Sequence, residues 1–229
     1  MPLELGRAVR ARLDPAERYG LRLTLFAVAL VVVAVPFAGL TFAVLDDGGP
    51  IGRFDSGAAG DLNRWAHRRP AVVDGFEVVT ALGSTAALLV VVGLAVGFLW
   101  RPGRHRVAAF LVVTAVGGMV VDGLVKAAVD RPRPVLDHPL ATASGQSFPS
   151  GHAMSSTVTY GALVIALWPH LPRRARVPAA VGAVLVVLAI GVSRLVLGVH
   201  FVTDVAGGHL LGVAWLAGAT AAFAAWRHD

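Results

Sequence analysis

Three short segments carry side chains suited to handling a tetrahedral anion. The first, 126–134, holds Lys126, the single lysine of the chain, then the run Arg131-Pro132-Arg133-Pro134. The second, 149–152, reads Pro149-Ser150-Gly151-His152, and the third, 193–204, supplies Ser193, Arg194, His200 and Asp204. Lys126, Arg133 and Arg194 offer cationic donors that match the charge and geometry of a phosphate dianion. Ser150 and the backbone N–H groups that would open a helix after it form an anion site of the helix-N-terminus kind. If the chain is helical there, His200 and Asp204 share one face at i, i+4. Asp204 then holds one ring N–H and leaves the other imidazole nitrogen as a nucleophile. His152 adds a second imidazole able to protonate a leaving oxygen. Anion binders, an oriented nucleophile and a general acid together describe a phosphoryl-transfer site.

Each cluster also has a plainer reading. Asp122 and Lys126 stand at i, i+4 and could neutralise each other inside an apolar run. Arg131 and Arg133 could meet headgroups, Ser150 could be an ordinary N-cap, and His200 with Asp204 could be an interfacial hydrogen-bonded pair. What weighs against these readings is where the three segments fall along the chain.

Of the 229 residues, 56% are hydrophobic and 15% charged, against about 45–50% and 25% for soluble domains. This is membrane-protein composition. Six apolar stretches approach the ~20 residues a spanning helix needs: 22–45, 78–100, 106–128, 152–169, 177–198 and 205–226. The first is longer than the ~7–15-residue core of a cleaved signal peptide, and Pro36 within it is tolerable as a kink. The expected fold is therefore all-α, a polytopic membrane bundle of six transmembrane helices forming one domain over 1–229, with a cytoplasmic tail at 1–21 and the bundle at 22–226.

The net charge of +6 does not point to nucleic acid, because the arginines cluster in short segments between apolar runs. Arg7, Arg10, Arg12, Arg18 and Arg22 precede the first span; Arg101, Arg104 and Arg106 follow the second; Arg173, Arg174 and Arg176 follow the fourth; Arg227 follows the sixth. All lie on one side, which the positive-inside rule makes cytoplasmic, with both termini. The 46–77 connection then faces outward, and its portion DLNRWAHRRPAVVDGF reads as an amphipathic segment on the outer surface. Small-xxx-small patterns at GLAVG (93–97) and GHLLG (208–212) read as helix-packing motifs. The absence of cysteine excludes disulfides, thiolate catalysis and Cys-ligated metal sites. The Arg-over-Lys bias hints at a GC-rich bacterial genome. With this topology all three polar segments meet on the extracytoplasmic side.

Lys126-(six residues)-Arg133-Pro134, Pro149-Ser150-Gly151-His152 and Ser193-Arg194-(five residues)-His200-(three residues)-Asp204 together resemble the three-part signature of the type-2 phosphatidic acid phosphatase and vanadium haloperoxidase superfamily, in its membrane lipid-phosphate phosphatase branch. The resemblance implies that His200 attacks phosphorus to give a phosphohistidine, oriented by Asp204, and that His152 protonates the departing alkoxide and then activates water. Lys126, Arg133, Ser150, Gly151 and Arg194 would hold the phosphoryl oxygens. It implies no metal and no other cofactor. Ser193 would bind phosphate or serve structurally, and Arg131 matches no signature position and would meet headgroups only. The expected partners are the bilayer and a lipid phosphate: phosphatidate, phosphatidylglycerophosphate or a polyprenyl phosphate or diphosphate, with an outward site favouring the polyprenyl carrier. A lipid phosphotransferase using the same histidine, a vanadate-holding haloperoxidase, and a transporter built on Asp122 and Lys126 are the competing readings.

Overall fold

The computed structural model of the chain describes residues 20–46, 48–99 and 105–225, with side chains from residue 31 to residue 223. The tail at 1–19 and Arg101, Arg104 and Arg227 lie outside the described residues. Among those described are eight α-helices: α1 Gly20–Val44, α2 Pro50–His67, α3 Pro70–Ala81, α4 Thr85–Leu99, α5 His105–Val129, α6 Gly151–Leu167, α7 Arg173–Val196 and α8 Val202–Ala225. α1 runs through Pro36 without interruption.

The side chains are distributed as hydrocarbon solvent dictates. Large apolar residues such as Leu94, Val120, Leu124 and Leu185 are exposed, while Ala115, Ala153, Ala162 and Ala166 fill the helix contacts. In a bilayer the outer surface gains nothing by hiding Leu and Val, and small residues let backbones approach closely. α6 is the central helix, packed by α8, α5 and α7, and α1 lies along α8. Gly208 and Gly212 of α8 make the tightest part of that centre. A Cβ at 208 would stand 2.6 Å from the Ser150 carbonyl oxygen, and one at 212 would stand 2.9 Å from Thr157 Cβ. GHLLG is thus a packing motif, as expected. GLAVG is not: a Cβ at Gly93 or Gly97 would meet nothing within 4 Å.

Among the described residues three helices are long and apolar enough to cross a membrane: His105–Val129, Arg173–Val196 and, in α8, Val202–Phe223. α3 and α4 together would be a fourth, bent by 46° at residues 82–84, where a straight span was expected over 78–100. The other two expected spans are shorter here. The apolar part of α1 within the described side chains is Val31–Val44. α6 has 17 residues, about 25 Å at the usual rise, against a hydrocarbon core of about 30 Å.

The 46–77 region departs most from expectation. It forms α2 and the start of α3, where an amphipathic segment resting on the outer surface was expected within it. Gly52, Asp55, Ala59, Asn63 and Ala66 are the buried residues of α2, a spacing of three and four that defines one helical face. That face packs against α7, α1 and α8. Ala66 of α2 and Val73 of α3 close an apolar cluster with Val196, Leu197 and Val199 at the end of α7.

Candidate active site

The three polar segments converge where α5 and α7 end and α6 and α8 begin. α5 stops at Val129, and Asp130 adopts φ of 48°, a left-handed conformation that Asp tolerates better than most side chains. The Arg131-Pro132-Arg133-Pro134 run cannot continue the helix, because proline lacks the N–H and disfavours helical geometry at the residue before it. The loop is tied to α2: Asn63 Nδ2 donates to the His138 carbonyl at 3.0 Å, and His67 Nε2 lies 2.8 Å from the same oxygen. It returns through a cis Phe148–Pro149 bond to Ser150, the N-cap residue of α6. On the other strand of the chain α7 ends at Val196, and Gly198, at φ of 73°, turns the backbone toward His200. A Cβ there would meet Leu136 Cδ1 at 2.6 Å.

His200 and Asp204 meet, but not through a shared helical face. His200 sits in the turn before α8, and Asp204 lies in the first turn of α8. The Asp204 carboxylate reaches back as the acidic half of a capping box does, with Oδ2 accepting the Phe201 backbone N–H at 2.8 Å. The same oxygen faces His200 Nδ1 at 3.4 Å and accepts a hydrogen bond from Ser147 Oγ. Arg133 Nη1 approaches the other ring nitrogen, Nε2, at 3.2 Å. This network assigns the tautomer with hydrogen on Nδ1 and a lone pair on Nε2. The 3.4 Å separation is long for a hydrogen bond, as catalytic contacts often are before substrate binds. His200 is 3% exposed. Burial pulls its pKa down to about 4, with Asp204 opposing and Arg133 and Arg194 reinforcing the shift. The ring is therefore neutral at physiological pH.

The other cations hold protein partners around this ring. Arg133 also donates from Nε to Gly145 O at 3.0 Å, from Nη2 to Ser144 O at 3.1 Å, and from Nη1 to Val199 O at 2.8 Å. Arg194 Nη1 donates to Thr80 Oγ1 at 2.7 Å, leaving its buried Nε without a partner. Lys126 Nζ donates to both Asp122 oxygens at 2.8 Å and to the Pro149 carbonyl. The self-neutralising pair considered from sequence therefore forms, and it does so against the start of α6. A Cβ on Gly151 would stand 3.0 Å from Asp122 Oδ2 and 3.4 Å from Lys126 Nζ. His152 points at the α3–α4 bend, where a Cβ on Gly83 would meet its Cδ2 at 3.1 Å. Arg194, His200, Lys126 and Arg133 all stand within electrostatic range of the His152 ring. Ser150 is fully buried and its Oγ has no partner among the described residues. Ser193 donates to Ile190 O at 2.6 Å and is spent on the α7 backbone.

One sequence expectation is overturned. Arg131 does not reach outward to headgroups: it is 4% exposed, ion-paired to Asp204 Oδ1 at 2.7 Å and to Asp55 Oδ2 at 2.8 Å. Asp55, Thr80, Ser147 and Thr203 were also missed. Thr203 lies within the third polar segment and Ser147 just before the second, and nothing local in sequence marks Asp55 or Thr80. Among the described residues no group of three His, Asp or Glu side chains is placed to hold a metal ion.

Three comparisons with known proteins bear on this site. The PAP2 superfamily profile matches residues 106–228. The chain is 34% identical over 152 residues to phosphatidylglycerophosphatase B of Bacillus subtilis (strain 168), covering 64% of this chain and 72% of that protein. It is 34% identical over 148 residues to decaprenylphosphoryl-5-phosphoribose phosphatase of Mycolicibacterium smegmatis, covering 61% and 73%. The fold matches the crystal structure of a transmembrane PAP2-type phosphatidylglycerolphosphate phosphatase from Bacillus subtilis with a TM-score of 0.74 and 26% identity, over 84% of this chain and 94% of that one.

Proposed function

The chain belongs to the PAP2 superfamily as a multi-pass membrane lipid phosphate phosphatase, and from that premise we propose that it hydrolyses a lipid-borne phosphate ester through a phosphohistidine at His200. The observation that carries this reading is the state of that ring: Nδ1 turned to Asp204 and Nε2 held 3.2 Å from the Arg133 guanidinium. In the first half-reaction Nε2 forms a bond to phosphorus as the ester P–O bond breaks, and His152 gives the leaving alkoxide its proton. In the second, His152 takes a proton from water, whose oxygen attacks phosphorus and releases phosphate with the P–N bond's electron pair returning to His200. Asp204 balances the charge that develops on the imidazole. Arg133, Arg194 through its unpartnered Nε, Ser150 through its unpartnered Oγ, Gly151 through its backbone N–H, and Lys126 hold the equatorial oxygens. Positive charge comes from side chains, so the chemistry runs without metal.

The relatives favour a phosphomonoester borne on a lipid headgroup. A phosphate ester of glycerol and one of ribose, each on a lipid carrier, are named in them. The reading places six spans in the cell membrane, counting α1, the bent α3–α4 pair and α5 to α8, with both termini cytoplasmic and the site in the outer leaflet. A buried cationic site at the end of a bundle lets the tail stay in lipid while the headgroup reaches the loops.

The test is phosphate release by detergent-purified protein from phosphatidylglycerophosphate, phosphatidate and a polyprenyl diphosphate, with and without EDTA, using His200→Ala as blank. Free phosphate without an added acceptor, unaffected by EDTA and inhibited by vanadate, is expected. Loss on chelation would remove the metal-free mechanism, and a requirement for an acceptor would make the enzyme a transferase.

A further inference from the structure

We infer that Arg131 and Asp55 are positioning residues for this reaction, forming a buried carboxylate–guanidinium–carboxylate chain that aims His200 through Asp204. The inference rests on the phosphohistidine reading above, and neither residue belongs to the signature. The geometry divides the two oxygens of Asp204 between two tasks. Oδ2 faces His200 and is met by Ser147 and the Phe201 N–H, while Oδ1 is gripped by Arg131 Nη1 at 2.7 Å. The same Nη1 donates to Thr203 Oγ1 at 2.7 Å, and Nη2 donates to Asp55 Oδ2 at 2.8 Å. Asp55 is fixed in turn by the Thr203 backbone N–H at 3.2 Å to Oδ1, and Thr203 Oγ donates to its Oδ2. The Phe201 ring lies 4.3 Å from the guanidinium carbon.

All three charged groups are essentially out of solvent: Asp55 and Asp204 at 0% and Arg131 at 4% exposed. A buried triad of this kind is not needed to stabilise a fold, since apolar residues serve as well or better. What it provides is a fixed charge sum. Two carboxylates share one guanidinium, leaving one net negative charge beside a ring that must become cationic when its Nε2 bonds to phosphorus. The other charged groups facing His200 are Arg133 from the α5–α6 loop, Arg194 from α7 and His152 from α6, with Lys126 of α5 acting on Asp204. Arg133, Arg194 and Lys126 are cations, Lys126 being paired with Asp122, and Asp204 of the triad is the carboxylate that faces the ring directly.

The chain makes a signed prediction that a purely structural role does not. Neutralising Asp55 leaves the Arg131 charge undivided on Asp204, makes the His200 ring less basic, and moves the acid limb of kcat/KM to lower pH. Neutralising Arg131 does the opposite. The experiment measures kcat, KM and the acid limb on phosphatidylglycerophosphate micelles with full-length wild type, Asp55→Asn, Arg131→Gln and Arg131→Lys, and with His200→Ala as blank. One substrate throughout makes its own ionisation cancel between proteins. Expected are limbs displaced in opposite directions for Asp55→Asn and Arg131→Gln, and kcat lowered by about 10²-fold in Arg131→Gln with KM little changed. Arg131→Lys should keep the wild-type limb while still losing turnover, because an ammonium cannot meet Asp55 and Asp204 as a fork does. If Arg131→Gln does not fold, the test is Asp55→Asn with its limb at lower pH beside Arg131→Lys with its limb at the wild-type position and its turnover reduced, and an Asp55→Asn limb that coincides with wild type refutes the inference. Limbs unmoved or displaced alike, or a loss confined to KM, would overturn the inference. Hydrolysis surviving in His200→Ala would instead overturn the phosphohistidine reading beneath it.

Discussion

Arg133→Ala separates chemistry from scaffolding at a single side chain. Arg133 makes four hydrogen bonds: three to the carbonyls of Ser144, Gly145 and Val199 and one to His200 Nε2. Ser144 and Gly145 are exposed and would rehydrate, whereas Val199 is buried, so its carbonyl would be left unpaired at a cost of about 1–3 kcal/mol. Melting in detergent should accordingly fall by several degrees. The catalytic loss is of a different size. The guanidinium that lies 3.2 Å from His200 Nε2 is, in the proposed mechanism, a donor to the developing oxyanion, and removing one such donor costs about 10²–10³ in kcat, or roughly 3–4 kcal/mol of barrier. Arg133→Lys, which keeps the charge but can serve only one or two of the four acceptors, should recover part of the melting temperature and little of the rate. The assay is phosphate release with kcat and KM resolved, beside thermal unfolding of the same preparations. An Arg133→Ala protein with lowered melting but kcat within about threefold of wild type would reduce Arg133 to a loop clamp and remove it from the mechanism.

Lys126→Arg should fold and lose at least about tenfold in kcat, because Nζ occupies a small space between Asp122, the Pro149 carbonyl and Gly151; near-normal turnover would discard that steric account. Gly208→Ala puts a methyl 2.6 Å from the Ser150 carbonyl and should cost about 1–3 kcal/mol by overpacking, read as a lower melting temperature together with reduced kcat; an unchanged melt would mean that α6 and α8 yield easily. His200 is held neutral with a pKa of about 4, below its unfolded value of about 6.5. The unfolded chain therefore binds the extra proton first, and stability present above pH 6.5 is lost as pH falls toward 4, by up to about 3 kcal/mol. Melting curves of wild type and His200→Gln should converge on acidification across that window, and parallel curves would contradict the burial argument.

The residues proposed to do chemistry stood out because their types are those that phosphate demands: cations, a helix start and an imidazole beside a carboxylate. Their scaffold was much less so. Asp55 reaches Arg131 from 76 positions away, and Thr80 reaches Arg194 from 114. Neither pairing leaves a periodic trace in sequence. Arg131 misled because an arginine between apolar helix and proline normally meets headgroups, and its burial depends on a carboxylate from α2 that local reading could not supply. The small-xxx-small patterns make the same point: GHLLG and GLAVG share a spacing, yet only Gly208 and Gly212 find a neighbouring helix. Apolar length located the long helices but neither α2 nor the break at 82–84, beside which Thr80 bonds Arg194 and Gly83 lies close to His152.

The carboxylate that faces the His200 imidazole also closes the first turn of the last helix. Because Asp204 closes the first turn of α8 onto the Phe201 N–H, and because the Ser150 N–H is bonded to the Asp204 carbonyl at 2.9 Å, the nucleophile cannot be aimed until the final span has begun and has docked on α6. In the proposed mechanism a chain lacking α8 would carry every cation of the site and His152 but no aimed nucleophile, and so would not turn over. On that reading, turnover would report that the last span is in place against α6.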